Sequence, residues 1–188
     1  QGYFRYVAEQ TDRVRLVSYG QSNERRPLYY MIVTAPENMA RIEEIRTNNL
    51  KVAGLMPGSS TGFEKPIVWM SYNVHGNEPA SSEAAMGTLY ALLQPQSPKI
   101  NEWLDKTVVI IDPCLNPDGR DRYVNWYNAV AGKRFNPLRE AREHVEPWPG
   151  GRSNHYMFDL NRDWSWLTQQ ETQQRISVYN EWMPHVHA

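Results

Sequence analysis

The chain has a single cysteine, Cys114, so no internal disulfide can tie it together. Long apolar runs are missing: nothing approaches the roughly 18 residues that a membrane-crossing helix needs, and residues 1–10 lack the apolar stretch of a signal peptide. No charge of one sign dominates either. Twenty Lys and Arg face 21 Asp and Glu, a net charge of −1, which removes the electrostatic footprint of a dedicated nucleic-acid binder. Disorder is excluded by composition, since 40% hydrophobic and 12% aromatic residues are enough to build a core. The initial Met is missing as well, which fits a processed secreted protein and an excised domain equally. What is present, 188 residues, is the size of one domain or most of a larger one.

Val14 to Ser18 alternates, a Gly20-Gln21-Ser22-Asn23 turn follows, and Leu28 to Val33 is an aliphatic and aromatic run, so a two-stranded hairpin is predicted. After Pro36, Met39, Ile42 and Ile45 recur at helical spacing among charged residues, the pattern of an amphipathic helix. Residues 67–74 are too short and too apolar for a surface helix and read as a buried strand. Pro79 opens a helix whose Met86, Leu89, Tyr90 and Leu93 are predicted to face inward, and residues 107–111 read as a second buried strand. Strands alternating with helices predict an α/β sheet with both faces covered.

Residues 116–166 show no sustained period of 2 or 3.6. They are expected to form a long ordered loop rather than a linker, because their Trp and Tyr side chains need packing partners. Thr168-Gln169-Gln170-Glu171 has capping-box spacing and starts a helix carrying Ile176, Tyr179 and Met183, and residues 185–188 look like the start of another strand.

Three polar groups punctuate this pattern. His75-Gly76-Asn77-Glu78 lies where strand gives way to helix, the edge at which open α/β sheets place ligands. Imidazole and carboxylate three residues apart can aim at one zinc ion, although a solvated His beside a helix-capping Glu would leave the same letters. Asn116-Pro117-Asp118-Gly119 follows the second buried strand and is on the same edge if the strands are parallel; taken alone it reads as an ordinary turn. In Asp159-Leu160-Asn161-Arg162, a guanidinium beside an amide can grip a carboxylate bidentately, with Arg152 ten residues earlier as a second cation. His144 and His155 lack ligand-like spacing and are expected to be solvated or hydrogen-bonded, and Cys114 is expected in the core.

Taken together and in this order, H-x-x-E, N-P-D-G and D-x-N-R resemble the zinc carboxypeptidases of the carboxypeptidase A type, the M14 metallopeptidases, from about Val14 onward. Tyr19-Gly20-Gln21-Ser22 with Arg26-Pro27-Leu28 is similar to that family's opening strand pair. The resemblance implies a single domain, residues 1–188, with a mixed, mostly parallel sheet and helices on both faces, incomplete at its C-terminal end. It implies one zinc ion with His75 and Glu78 as ligands, Asp159 as the partner of His75, and Asn161 with Arg162 binding the free C-terminal carboxylate of a peptide substrate. Arg152, with Arg134 as runner-up, would polarise the scissile carbonyl. A secreted or periplasmic location is implied by resemblance only.

Two departures stand out. Asn77 occupies a position where the digestive members carry an arginine, removing one cation from the substrate channel. The family's third ligand is a histidine on a later strand, and neither His185 nor His187 follows an aspartate two residues earlier, so that ligand and the general-base glutamate are expected beyond Ala188, with His187 as the lesser alternative for the ligand. Residues 1–188 by themselves are therefore expected to be inactive. The alternatives are a deacylase or amidase on the same scaffold and a degenerate peptide-binding module.

Overall fold

The computed structural model describes residues 1–188. Its elements are α1 (Gly2–Gln10), β1 (Val14–Gln21), β2 (Pro27–Val33), α2 (Pro36–Ala40), α3 (Ile42–Val52), β3 (Ile67–Ser71), α4 (Ala80–Leu92), α5 (Pro98–Lys106), β4 (Val108–Asp112), α6 (Pro117–Val130), α7 (Gln170–Trp182) and β5 (Val186–His187), with a single 3-10 turn at Arg142–His144. The five strands form one sheet in the order β1-β2-β4-β3-β5. β1 and β2 pair antiparallel, as do β2 and β4, whereas β3 is parallel to both β4 and β5. The sheet is thus divided evenly between the two kinds of pairing and is parallel where it leads to the H-x-x-E turn.

Both faces are covered. Tyr30, Ile32, Ile67, Trp69, Val108 and Ile110 point to one side and pack on Met39, Ile42 and Ile45 of α2 and α3 and on Trp182 of α7. Met31, Val33, Val109 and Ile111 point to the other, against Phe4 of α1, Ala85 and Leu89 of α4 and Leu104 of α5. The alternation in β2 and β4 is the period-2 consequence of burying a strand from both sides. On α4, Tyr90 departs from expectation: it is 65% exposed, and Ala85 with Leu89 makes the buried contact.

The main correction concerns residues 116–166. Their first third is the helix α6, started by Asn116, whose side chain accepts a hydrogen bond from Gly119 N–H, with Pro117 in the first turn. A second correction concerns α7. Thr168 does not cap it: the N-cap is Gln169, without a side-chain cap, and Asp163 holds the approach to the helix, accepting from the backbone N–H of Thr168 and of Gln169, each at 2.9 Å, and from the Thr168 hydroxyl. Glu171 is buried and points away, accepting from Asn23 and Asn154. At the other end Met183 adopts a left-handed conformation (φ 42°), and Asn49 Nδ2 donates to the carbonyls of Trp182 and Met183.

Candidate metal centre

The H-x-x-E turn is shaped by a buried residue that no pattern singled out. Asn73 sits just past β3 in a left-handed conformation (φ 55°), which asparagine tolerates better than most residues. Its Nδ2 donates to the carbonyls of His75 (2.8 Å) and Glu78 (3.0 Å). Its Oδ1 accepts from Ser82 Oγ of α4 at 3.1 Å and from Cys114 Sγ at 3.3 Å. One side chain therefore closes the turn and ties it to the next helix and to the end of β4. Cys114 is half-buried rather than in the core, and burial pushes its thiol up to about 11.

Within that turn, Nδ1 of His75 lies 2.9 Å from Oε1 of Glu78, so the two donor atoms converge on one point. His75 is 7% exposed. Its Nε2 is buried, makes no hydrogen bond, and faces Oδ1 of Asp159 at 3.3 Å. The other carboxylate oxygen of Asp159 accepts from Arg152 through Nη2 (2.9 Å) and Nε (3.1 Å). Burial raises the Asp159 pKa, but the Asn161 N–H and the Arg152 guanidinium outweigh it and hold the carboxylate below its ordinary range. The structure thus brings His75, Glu78, Asp159 and Arg152 together. Asn161 and Arg162 follow directly in the chain and are exposed; Arg134 lies in an exposed stretch and makes no hydrogen bond or ion pair with any of the four.

Imidazole Nδ1 facing a carboxylate, with a second carboxylate at Nε2 to fix the tautomer, is a donor set that suits zinc. It supplies two ligands, and no group of three or more His, Cys, Asp or Glu side chains converges in a metal-holding arrangement. His187 is not part of it: its Nε2 is 2.9 Å from Ser71 Oγ and its ring packs on Trp164 and Tyr179. His185 Nδ1 accepts from Ile67 N–H, His144 contacts the Asn136 carbonyl and His155 contacts Glu24.

Two of the three sequence motifs pack backbone to backbone through glycines with the segment that leads into Arg152. A Cβ on Gly76 would lie 2.1 Å from Arg120 N and 2.5 Å from Gly151 O. One on Gly119 would lie 2.2 Å from Gly151 O, and one on Gly151 would lie 2.6 Å from Gly119 O. The H-x-x-E turn, the start of α6 and the segment leading into Arg152 can approach so closely only without side chains. Asn116 Nδ2 then donates to Arg152 O at 3.0 Å, and Arg122 reaches the carbonyls of Gly150, Ser153 and Asn154. Asp118 accepts from Ser22 Oγ (2.6 Å) and Arg26 Nη1 (2.8 Å), which anchors the β1–β2 turn to the same assembly. A separate cleft of about 420 Å³, lined among others by Phe4, Met86, Cys114 and Arg120, contains none of the predicted site residues.

The fold is that of the metallocarboxypeptidases. The zinc carboxypeptidase family, Peptidase M14, matches residues 2–185, and the chain belongs to that family. It is 27% identical over 109 residues to human carboxypeptidase D, covering 57% of this chain and 6% of that protein. A metallo-carboxypeptidase from Pseudomonas aeruginosa, solved in complex with (2-guanidinoethylmercapto)succinic acid, superposes with a TM-score of 0.62 at 16% identity over 99% of this chain and 37% of that one. One from Burkholderia cenocepacia gives 0.60 at 16% identity over 94% and 36%. The chain spans a small part of carboxypeptidase D and little more than a third of these solved structures.

Proposed function

We propose that this chain is the N-terminal part of the catalytic domain of a zinc-dependent carboxypeptidase that hydrolyses the C-terminal peptide bond of peptides. The observation that carries the reading is the convergence of His75 Nδ1 and Glu78 Oε1, with Asp159 behind the imidazole. His75 and Glu78 would hold the metal, and a zinc ion there supplies Lewis acidity for the scissile carbonyl and lowers the pKa of a bound water. Asp159 keeps the His75 ring in one tautomer and orientation. Arg152, close by and half exposed, offers a guanidinium to the oxyanion once it exchanges its Asp159 contact for substrate. Arg162 and Asn161 receive the substrate's terminal carboxylate, and that contact restricts cleavage to the last bond. Because β5 lies parallel to β3, a third ligand on a continuation of β5 would run alongside Asn73 and His75.

The test compares the full-length protein with its His75→Ala variant for zinc content by elemental analysis, and for cleavage of peptides with free or amidated C-termini. One equivalent of zinc lost in the variant, and a strong preference for free carboxylates that Arg162→Ala removes, are the expected results. Equal cleavage of amidated peptides would replace the carboxypeptidase with an amidase on the same scaffold; absence of zinc from both proteins would leave a peptide-binding module.

A further inference from the structure

Glu146 lies in the loop that precedes Arg152, and its two carboxylate oxygens hold two different parts of the site. Oε2 accepts from Asn77 Nδ2 at 2.9 Å, and Asn77 is the residue immediately before Glu78. Oε1 accepts a short hydrogen bond from the backbone N–H of Gly151, the residue immediately before Arg152. Space for this clasp is made by Gly150, where a Cβ would stand 3.2 Å from the Glu146 carboxyl carbon. Residues 132–140 of the preceding loop are all exposed, and the segment around Arg152 is held by side chains of Asn116, Arg122, Glu146 and Asp159. Asp159 joins the Arg152 guanidinium to His75, and Glu146 joins the backbone just before Arg152 to Asn77.

We propose that Glu146 is a positioning residue: by clasping Asn77 and Gly151 it sets Arg152 relative to His75 and Glu78. This rests on the carboxypeptidase reading for its kinetic consequence, though not for the clasp itself. It also assigns a role to Asn77, whose amide supplies the second half of the contact. A guanidinium displaced by about 1 Å from a developing oxyanion can cost up to roughly a hundredfold in rate, and the loss falls on turnover rather than on binding.

The experiment uses the full-length zinc-loaded protein. Glu146→Ala is expected to lower kcat by roughly tenfold to a hundredfold with KM and zinc content near wild type. Glu146→Gln, which keeps one carbonyl acceptor, should recover part of the loss. Asn77→Ala should add little to Glu146→Ala, because both remove the same contact. In parallel, amide hydrogen exchange at Gly151 should accelerate in Glu146→Ala. Wild-type kcat in Glu146→Ala, or unchanged exchange at Gly151, would overturn the proposal. Wild-type protein without zinc-dependent peptidase activity would sink the carboxypeptidase reading, while faster Gly151 exchange would still support the clasp.

Discussion

Oδ1 of Asp159 stands 3.3 Å from Nε2 of His75, while its Oδ2 accepts twice from Arg152. One carboxylate therefore orients both the imidazole whose other nitrogen meets Glu78 and the guanidinium beside it. Replacing it by an amide of the same size keeps the packing and removes the charge. Asp159→Asn is expected to weaken zinc binding by roughly tenfold to a hundredfold, read by competition with a chelator in the full-length protein. Unchanged affinity would mean that packing alone holds the His75 ring.

Two glycines, one interlocked and one free, make predictions of opposite sign. At Gly119 an added methyl would meet the backbone carbonyls of Gly151 at 2.2 Å and of Ser153 at 2.7 Å, with the Asn116 amide nitrogen at 2.6 Å. Gly119→Ala should cost roughly 2 kcal/mol or more. Gly87, inside α4, has nothing within 4 Å of its would-be Cβ, so Gly87→Ala should stabilise by about 0.5–1 kcal/mol. Urea denaturation of the two variants measures both, and equal effects would show that the close approach at Gly119 is not structural.

The residues of the candidate site are legible because they are local: His75 and Glu78 share one turn, and Asp159, Asn161 and Arg162 share another. What holds them was not, because it is built from long-range contacts to polar residues without a period. Asn73 works through a left-handed backbone and four partners spread from His75 to Cys114, and Glu146 works across 69 positions to Asn77. The helix α6 was hidden for a related reason. Its buried positions are Asp118 and Gly119, which pack on the β1–β2 turn and on Gly151, so no apolar stripe marks it, although Asn116 and Pro117 carry the start signal. At α7 the capping spacing is present but unused, because the N-cap falls one residue later, on Gln169, and Glu171 is turned to Asn23 and Asn154.

Asp163, which holds the approach to α7, gives a pH-dependent test. Burial raises its pKa, but the Thr168 hydroxyl and the Thr168 and Gln169 N–H groups outweigh it, so the folded value lies below the ordinary 3.8. A depressed folded pKa contributes stability that is present above the unfolded value and lost as pH falls through the folded one. Asp163→Asn should therefore cost about 1–3 kcal/mol at pH 7, and the difference from wild type should shrink below roughly pH 4. Denaturant midpoints at pH 7 and pH 3 measure it; a gap that persists at pH 3 would assign the cost to geometry rather than charge.

Asp112 makes the opposite contribution in a separate window. It ends β4 fully buried, and burial pushes its carboxyl up to about 7, against the pull of the Arg175 charge and of the Tyr19 hydroxyl 3.2–3.3 Å away. Arg175 is itself buried, its guanidinium 4.2 Å from the centre of the Trp164 ring with Nε and Nη2 unpaired, so it draws the carboxylate without a direct bond. A folded pKa raised from 3.8 to about 7 means that the folded state binds more protons than the unfolded one between those values. Stability from this group is complete below the unfolded pKa and is lost as pH rises through 7. Asp112→Asn cannot ionise, so it should remove this decline between pH 4 and 8, gaining on wild type by roughly 1 kcal/mol or more across that interval. Denaturant midpoints taken at unit pH intervals read the slope directly. A decline as steep in Asp112→Asn as in wild type would mean that Arg175 holds Asp112 ionised throughout, and that the pair is a buried salt bridge rather than a protonated acid beside a cation.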